Sequence, residues 1–252
     1  MIKYGLKIWS NNTNLFQKAV NLVNLGKFDF LEIYHNSSEL KDYNKLEILN
    51  SVSVKAVHHG RYDKRWHDFF ITEDQLPDWK GTVEMADFFK VDFIILHPGR
   101  VHNTKTFWEN VEKINDARIL IETMPGLDID NNPMQFGQTL TDLLAIKKKK
   151  NICFDFEKVI KASIYQKKDY REFIKEAMRK LDPSYFHISG GDLKSPVDQH
   201  VNLWEAEFDI KWIRELLENF SEKRVIYLLF ETPKISNNLQ NDVKNLEYFK
   251  SL

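Results

Sequence analysis

Short apolar runs alternate with longer amphipathic stretches along the chain. Runs that are typical of buried strands are YGLKIW (4–9), DFLEIY (29–34), VKAVHH (54–59), DFIILH (92–97), ILIET (119–123), ICFDF (152–156), YFHIS (185–189) and VIYLLFE (225–231). Apolar residues at helical spacing predict helices in 14–26, 82–90, 136–150, 170–181 and 209–220. The pattern therefore predicts strands and helices in alternation.

This strand-then-helix order repeats about eight times, and no Pro-, Gly- or Ser-rich linker divides the chain into halves. Such a repeat predicts a single domain over residues 1–252, with the fold of a (β/α)8 TIM barrel and a site at the C-terminal strand ends. A doubly wound open sheet is the alternative, but that fold is usually built from fewer units.

The composition narrows the classes of function. The formal net charge is -1 and the pI is about 6.7, so a nucleic-acid enzyme would need a local basic patch. The single cysteine, Cys153, cannot form an internal disulfide. Neither a signal peptide nor an apolar run of about 18 residues is visible in the sequence. We therefore expect a cytoplasmic protein with no membrane contact and no evident obligate protein partner.

Imidazoles and carboxylates close the later strands, where a barrel of this kind places its active site. They are His58, His59, His97, Glu122, Asp155, His187 and Glu231, and the loop after strand seven adds Asp198 and His200. One buried histidine alone is usually a hydrogen-bonded core residue. Several carboxylates buried near one axis without a cation are very costly, and these side chains are ligands of zinc and manganese. The set therefore predicts a divalent-metal site.

Strand three ends in two adjacent histidines, His58 and His59. Neighbouring residues of a strand point to opposite faces, so only one of the two imidazoles can face the barrel axis. The residues of the strand leave this choice open.

A set of motifs in this order at the strand ends resembles the xylose-isomerase-like barrels. The motifs are HHGRY (58–62), LHPG (96–99), IETMPG (121–126), CFDFEK (153–158), FHISG (186–190), VDQH (197–200) and FETP (230–233). Among these barrels, the set is most similar to the type-IV apurinic/apyrimidinic (AP) endonucleases, or AP endonuclease family 2. The sugar isomerases and epimerases share much of it. The resemblance extends from strand three to strand eight.

The resemblance implies a first metal held by His59 and His97. The family places a tyrosine three residues after its ligand histidine, and Tyr62 follows His59 at that distance, so the resemblance favours His59 over His58. It also implies that Glu122 bridges the first metal to a second one.

The resemblance further implies the ligands of two more metal sites. The second metal would be completed by Asp155, His187 and Glu231, which together with Glu122 also match the single-metal site of the epimerases. Asp198 and His200 match two ligands of a third metal.

Lys158 is a departure from the endonuclease pattern, which has a third-metal histidine at this position. A protonated ammonium is a poor ligand and repels a cation. Lys158 either supplies one positive charge in place of the third metal or has lysine chemistry of its own. The alternative to a functional role is that Lys158 lies on the face of a helix and forms an ion pair with Glu157 or Asp155. We therefore expect one or two ions, zinc or manganese, with the third site in doubt.

The preferred hypothesis is a metal-dependent phosphodiester hydrolase of the AP-endonuclease type, acting on DNA with an abasic site. Glu122 would serve two metals, Glu231 would orient the attacking water, and Lys158 would add a positive charge. Arg61, Tyr62 and Arg100 would contact the DNA.

The alternative is a sugar or sugar phosphate isomerase or epimerase with one metal. Glu122 and Glu231 would then act as proton-transfer bases, and Glu32, at the end of strand two, would bind the sugar. Lys158 and the near-neutral pI favour this alternative, whereas the histidines and Asp198 outside the single-metal set favour the hydrolase. A metal-binding protein without catalysis is a third hypothesis.

Overall fold

Eight parallel strands close into a barrel in the computed structural model, which describes residues 1–36, 43–60, 76–98, 104–128, 130–134, 136–234 and 238–252. The strands are β1 (Ile2–Trp9), β2 (Phe30–His35), β3 (Val54–His59), β4 (Phe93–Leu96), β5 (Ile119–Glu122), β6 (Asn151–Asp155), β7 (Tyr185–Ile188) and β8 (Ile226–Phe230). Each strand pairs in parallel with the next, and β8 pairs back onto β1. The predicted (β/α)8 barrel is confirmed, and the open sheet is wrong.

Helices cover the outside of the barrel. They are α1 (Phe16–Asn24), α2 (Leu76–Phe89), α3 (Thr104–Lys113), α4 (Leu140–Lys147), α5 (Phe156–Tyr165), α6 (Tyr170–Leu181), α7 (Ile210–Ser221) and α8 (Gln240–Ser251), with short 3-10 turns at Thr13–Leu15, Tyr43–Ser51 and Leu203–Glu205. The sequence pattern missed α3, α5 and α8. Helix α5 follows β6 without a loop, so its apolar residues merge with those of the strand. None of the described helices is long and apolar enough to cross a membrane.

Helices α4 to α7 begin where short polar side chains accept their first free backbone N–H groups. Asp155, Asp169 and Asp209 each cap the helix that follows, and Thr139 forms a capping box with Asp142 at α4. The cap at Asp155 has a consequence for the site, because it turns the chain directly from the end of β6 into α5.

The interior of the barrel is filled in layers. An apolar layer is formed by Phe30, Ala56, Ile95, Leu120, Cys153, Tyr185 and Leu229. Gly5 is the residue of β1 that lies in this layer, and a Cβ atom added to it would overlap the Phe30 ring. Only glycine therefore fits at that point of the barrel wall.

A second interior layer follows from strand geometry. Side chains alternate along a strand, so the residue two positions beyond each member of the apolar layer faces the axis again. These residues are Lys7, Glu32, His58, His97, Glu122, Asp155, His187 and Glu231, one from each strand or just past its end. We call them the polar layer. It lies at the C-terminal side of the barrel, where TIM barrels carry their chemistry.

Candidate active site

The polar layer lies at the base of a cavity of about 630 Å³ at the mouth of the barrel. Lys7, His58, His97 and Glu231 of the layer line this cavity, together with Lys158, Asp198 and His200 from the adjoining loops and helix. Trp9 and Tyr34 also line it, with ring centroids 5.6 Å apart, and Trp9 is 42% exposed. The site is therefore a pocket with charged side chains at its base and aromatic rings at one side.

Glu122 lies at the centre of the charged cluster. Its Oε1 is 2.7 Å from Nδ1 of His187 and 2.9 Å from Nζ of Lys158, and its Oε2 contacts Nε2 of His97. Burial alone would raise the pKa of Glu122, but the charges of Lys158, His97 and His187 hold it well below its ordinary value. Glu122 is therefore an ionised carboxylate in contact with the Lys158 ammonium and with two imidazoles.

Lys158 brings an ammonium into the same cluster from the first turn of α5. Its backbone N–H donates to Oδ1 of Asp155 at 3.0 Å, and its Nζ lies 3.3 Å from Oδ2 of Asp155 and 3.6 Å from Oε2 of Glu231. Burial alone would lower the pKa of Lys158, but Glu122, Asp155 and Glu231 raise it well above its ordinary value. An amine held protonated in this way is a poor nucleophile.

The sequence suggested that the Lys158 ammonium replaces the third metal. The structure places this ammonium at the predicted second metal site instead. Lys158 contacts Glu122, Asp155 and Glu231, which belong to the predicted second metal. The alternative interpretation was a helix-face lysine paired with Glu157 or Asp155. Of these two contacts the structure has the one with Asp155, and the ammonium points into the barrel rather than to solvent.

Lys7 is a second buried ammonium, and sequence reasoning assigned it no role. Its Nζ contacts Oε1 of Glu231, lies 3.1 Å from Nδ1 of His58 and lies 3.5 Å from Oε1 of Glu32. Burial alone would lower the pKa of Lys7, but Glu231 and Glu32 raise it. The alternation from Gly5 on β1 would have indicated that this side chain enters the barrel.

These lysines change the electrostatic argument for a metal. The sequence suggested that the buried carboxylates need metal ions as their source of positive charge. In the structure, Lys7 lies between Glu32 and Glu231, and Lys158 lies beside Glu122. The chain therefore carries its own counter-charges, and the case for a metal has to rest on the ligand atoms.

His58, and not His59, faces the barrel axis. His58 has its Nδ1 3.2 Å from Oε1 of Glu32, and burial together with Lys7 lowers its pKa to about 3, so its imidazole is neutral. His59 lies on the opposite face, where its Nδ1 is 2.7 Å from Oγ1 of Thr82 and its ring packs edge-on against Trp79 of α2. The structure therefore places His59 away from the other predicted metal ligands, and His58 stands in the position expected for it.

Glu32 lies beneath the cavity rather than on its wall. It is fully buried, accepts a hydrogen bond from the Tyr185 hydroxyl at 2.8 Å and has Oε2 3.0 Å from Nε2 of His187. This position corrects the expectation that Glu32 contacts a sugar directly, because Glu32 is fully buried and is not among the described residues that line the cavity. The other expected substrate contacts, Arg61, Tyr62 and Arg100, lie outside the described residues.

Asp198 and His200 form a pair beside the polar layer. Nε2 of His200 lies 2.9 Å from Oδ2 of Asp198, and Nδ1 lies 3.1 Å from the backbone oxygen of Glu231. Burial alone would lower the pKa of His200, but Asp198 raises it to about 9. Glu157 joins this pair, one residue before the position where the endonuclease pattern has a histidine. Sequence reasoning missed Glu157 because it looked only at position 158.

The ligand atoms of these side chains form compact groups. We define the first ligand group as His58, His97 and Glu122, the second as Glu122, Asp155, His187 and Glu231, and the third as Glu157, Asp198 and His200. Within each group the ligand atoms lie within 4.8 Å of one another. The structure thus brings together every predicted metal ligand except His59, and His58 takes its place.

The residues of these groups fit divalent metal ions. They combine imidazole nitrogens with carboxylate oxygens, the mixture that suits zinc and manganese. Within the part of the chain that the structure describes, Nε2 of His58 is buried without a hydrogen-bond partner, and Oδ2 of Asp155 faces the Lys158 ammonium at 3.3 Å without a hydrogen bond. Buried polar atoms are nearly always paired in proteins, so the unpaired Nε2 of His58 fits a ligand position in the first group.

The chain is similar to known proteins in its structure but not detectably in its sequence. No protein-family model matches the chain, and no curated protein is similar to it in sequence. Endonuclease IV from Thermus thermophilus matches with a TM-score of 0.73 and 18% identity, over 99% of this chain and 98% of that one. An AP endonuclease of family 2 from Brucella melitensis matches with a TM-score of 0.66 and 14% identity, over 100% and 99%. L-ribulose 3-epimerase matches with a TM-score of 0.60 and 14% identity, over 98% and 86%.

These matches cover nearly the whole chain and agree on its architecture. The protein has the fold of the xylose-isomerase-like TIM barrels, as its strand-end motifs predicted. Endonucleases, isomerases and epimerases occur together among the matches, so the fold does not distinguish their reactions. The choice between them has to come from the site.

Proposed function

We propose that this protein is a divalent-metal phosphodiester hydrolase that cuts DNA at abasic sites. The observation that carries this proposal is the position of Glu122, which belongs to both the first and the second ligand group. Two ions that share a carboxylate suit in-line displacement at phosphorus, because one can assist the attacking oxygen and the other the leaving oxygen. A single-metal isomerase needs the second group alone.

The first and second ligand groups would hold the ions, zinc or manganese. When bound, the ions would act as Lewis acids. They would also lower the pKa of a bound water, so that hydroxide is available at neutral pH. Glu231 faces the cavity and orients the attacking water, and Lys7 fixes its carboxylate from one side. The water oxygen forms the new bond to phosphorus, and the phosphorus–oxygen bond to the deoxyribose breaks on the opposite side.

The cavity wall supports a nucleic-acid substrate. Trp9 and Tyr34 present aromatic rings at the mouth, where a base or the face of a deoxyribose can stack. Lys158 and His200 line the same cavity, but each is already paired with carboxylates, so bound divalent ions would have to supply the net positive charge that phosphate oxygens need. The net charge of the whole chain is -1, so this local charge is the electrostatic attraction on which DNA binding would depend.

The second candidate is a sugar or sugar phosphate isomerase or epimerase, which the cavity volume of about 630 Å³ favours because it would enclose a small sugar. Two observations weigh against it. Glu122 and Glu231 both approach Nδ1 of His187, at 2.7 and 3.2 Å, instead of facing each other across the cavity. The pKa of Glu231 is held well below its ordinary value because Lys7 and His187 outweigh the effect of burial, so its carboxylate is a weak base.

The test is incision of a DNA duplex that carries one tetrahydrofuran abasic analogue, which hydrolysis can cut and lysine-dependent elimination cannot. The protein is stripped with a chelator and then reloaded with Mn²⁺ or Zn²⁺. We expect incision at the analogue by the wild type, none in the undamaged duplex, and none by Glu231→Gln. Glu218→Gln is the matched control, because Glu218 pairs with Arg214 on the surface of α7.

The opposite result would transfer the assignment to the second candidate. Bound metal without incision, together with metal-dependent interconversion of ketose epimers, would identify an epimerase. Incision that survives in Glu231→Gln would instead contradict the role given to this carboxylate.

A further inference from the structure

The ammonium of Lys158 occupies the middle of the second ligand group. Its Nζ lies 2.9 Å from Glu122, 3.3 Å from Asp155 and 3.6 Å from Glu231. Only His187 of that group is outside its contacts within the described chain. A lysine ammonium with three carboxylates around it fills the electrostatic position that a divalent ion would take.

Lys158 also lies between these ligands and the cavity. Its side chain lines the cavity although it is only 1% exposed, whereas Glu122, Asp155 and His187 are fully buried. An ion that enters from the barrel mouth would meet the ammonium before it reached these ligands. Lysine has a flexible four-carbon stem, so the ammonium can move into the cavity without any change in the backbone of α5.

Lys7 has a corresponding position on the other side of Glu231. It contacts Oε1 of Glu231, whereas Lys158 approaches Oε2, so the carboxylate lies between two ammonium groups. Lys7 also neutralises Glu32, which lies deeper in the barrel. With both lysines in place, the carboxylates of the polar layer are paired before any ion arrives, and a fold with paired buried charges does not depend on metal.

We infer that Lys158 is a resident cation that takes the place of the second metal in the metal-free protein, and that a divalent ion binds this group only by displacing its ammonium. The inference rests on the proposed function solely in assuming that the second ligand group accepts an ion. It makes metal binding a competition within the chain, in which the affinity for the ion is reduced by the stability of the lysine contacts. It also makes the metal-free barrel a stable state.

The experiment compares Lys158→Met with Lys161→Met. Lys161 is a matched control for the second ligand group, because it is equally buried on the same helix but donates to Asp192 and Gln199, and its nearest ligand-group carboxylate is Glu157 of the third group at 4.0 Å. Mn²⁺ binding is measured by calorimetry, and thermal unfolding is followed in chelator and in Mn²⁺. We expect Lys158→Met to bind Mn²⁺ at least about 10-fold more tightly than the wild type. We expect Lys161→Met to bind it as the wild type does.

Thermal unfolding gives the second part of the result. In chelator the wild type should be folded and should unfold in one cooperative transition. Lys158→Met should unfold at a lower temperature in chelator and should regain stability with Mn²⁺. Binding by Lys158→Met that is equal to or weaker than that of the wild type would overturn the inference. A folded Lys158→Met that binds no Mn²⁺ would overturn it as well.

A measurement on the wild type keeps the inference testable if Lys158→Met does not fold. Reductive methylation followed by peptide mass spectrometry reports which lysines are accessible, and Lys175, whose side chain is 51% exposed, is the internal standard. Lys158 should be protected in chelator and should become methylated when Mn²⁺ is bound. Continued protection with Mn²⁺ bound would overturn the displacement.

The two proposals fail in different ways. Displacement of Lys158 by Mn²⁺ without DNA incision would leave this inference standing and remove the hydrolase. Incision by a protein whose Lys158 stays protected with Mn²⁺ bound would do the reverse.

Discussion

Oε2 of Glu32 lies 3.0 Å from Nε2 of His187, and Nδ1 of the same ring lies 2.7 Å from Oε1 of Glu122. The imidazole is therefore held between two carboxylates, one beneath the cavity and one in the ligand groups. Burial alone would lower the pKa of His187, but the surrounding carboxylates raise it well above its ordinary value. A carboxylate that holds one ring nitrogen fixes the direction of the other, which is how proteins orient histidine ligands.

Glu32→Gln should therefore weaken the metal site without changing the cavity wall. Loss of an orienting carboxylate typically costs about 10- to 100-fold in metal affinity or activity, and we expect a loss in this range for Mn²⁺ affinity and DNA incision. Calorimetry and incision kinetics check it. Tyr185→Phe is the control, because it removes one hydrogen bond to Glu32 and leaves the carboxylate beside His187. Wild-type affinity in Glu32→Gln would contradict the orienting role.

His58→Ala and His59→Ala should have opposite consequences for function. His58 belongs to the first ligand group, so its loss should remove that group and the incision activity. His59 contacts Thr82 and Trp79 of α2, so its loss should lower stability and leave Mn²⁺ stoichiometry unchanged. Metal analysis and incision assays of the two folded variants measure this difference. Loss of metal in His59→Ala alone would restore the choice that the family pattern favoured.

Lys7→Met should destabilise the metal-free protein far more than Lys3→Met on the same strand. Lys7 is buried against Glu231 and Glu32, and removing one partner of a buried ion pair typically costs about 3–5 kcal/mol. Lys3 pairs with Asp29 where both side chains are about a third exposed, and such a pair contributes about 0–1 kcal/mol. Urea unfolding in chelator measures both free energies. Equal losses would show that Lys7 does not neutralise the polar layer.

The sequence predicted the barrel well because its strands are short, apolar and regularly spaced. It missed α5, where the cap at Asp155 joins β6 to the helix and the two apolar patterns overlap. The alternation of side chains along each strand predicts the inward face of β3 better than the motif spacing does. Counting from Ala56 in the apolar layer selects His58, whereas the tyrosine spacing of the AP-endonuclease pattern favours His59.

The charges of the site were harder to predict than its ligands. A lysine in a strand, such as Lys7, resembles a residue at the rim until the strand register shows that it enters the barrel. The contacts of Lys158 depend on the start of α5 and on side chains from three strands, which no local pattern contains. Glu157 enters the third ligand group for the same reason, because the first turn of α5 brings its side chain toward Asp198.

The pair formed by Asp198 and His200 predicts a pH dependence of stability in the metal-free protein. The pKa of His200 is raised to about 9, above its value of about 6.5 in an unfolded chain, so the folded state binds this proton more tightly. The contribution of the pair is therefore fully present below about pH 6.5 and is lost as the pH rises through about 9. The side chain of His200 is 37% exposed, so solvent screens the pair and we expect about 1 kcal/mol.

Urea unfolding of the wild type and His200→Gln in chelator, at pH values from about 6 to about 10, measures this contribution. The difference in unfolding free energy should be largest at the acidic end, and it should shrink as His200 loses its proton. Asp198→Asn and the double variant complete a cycle that isolates the pair from other titrating groups. A coupling energy near zero at the acidic end would mean that His200 is already neutral there, and the ion pair with Asp198 would then have to be abandoned.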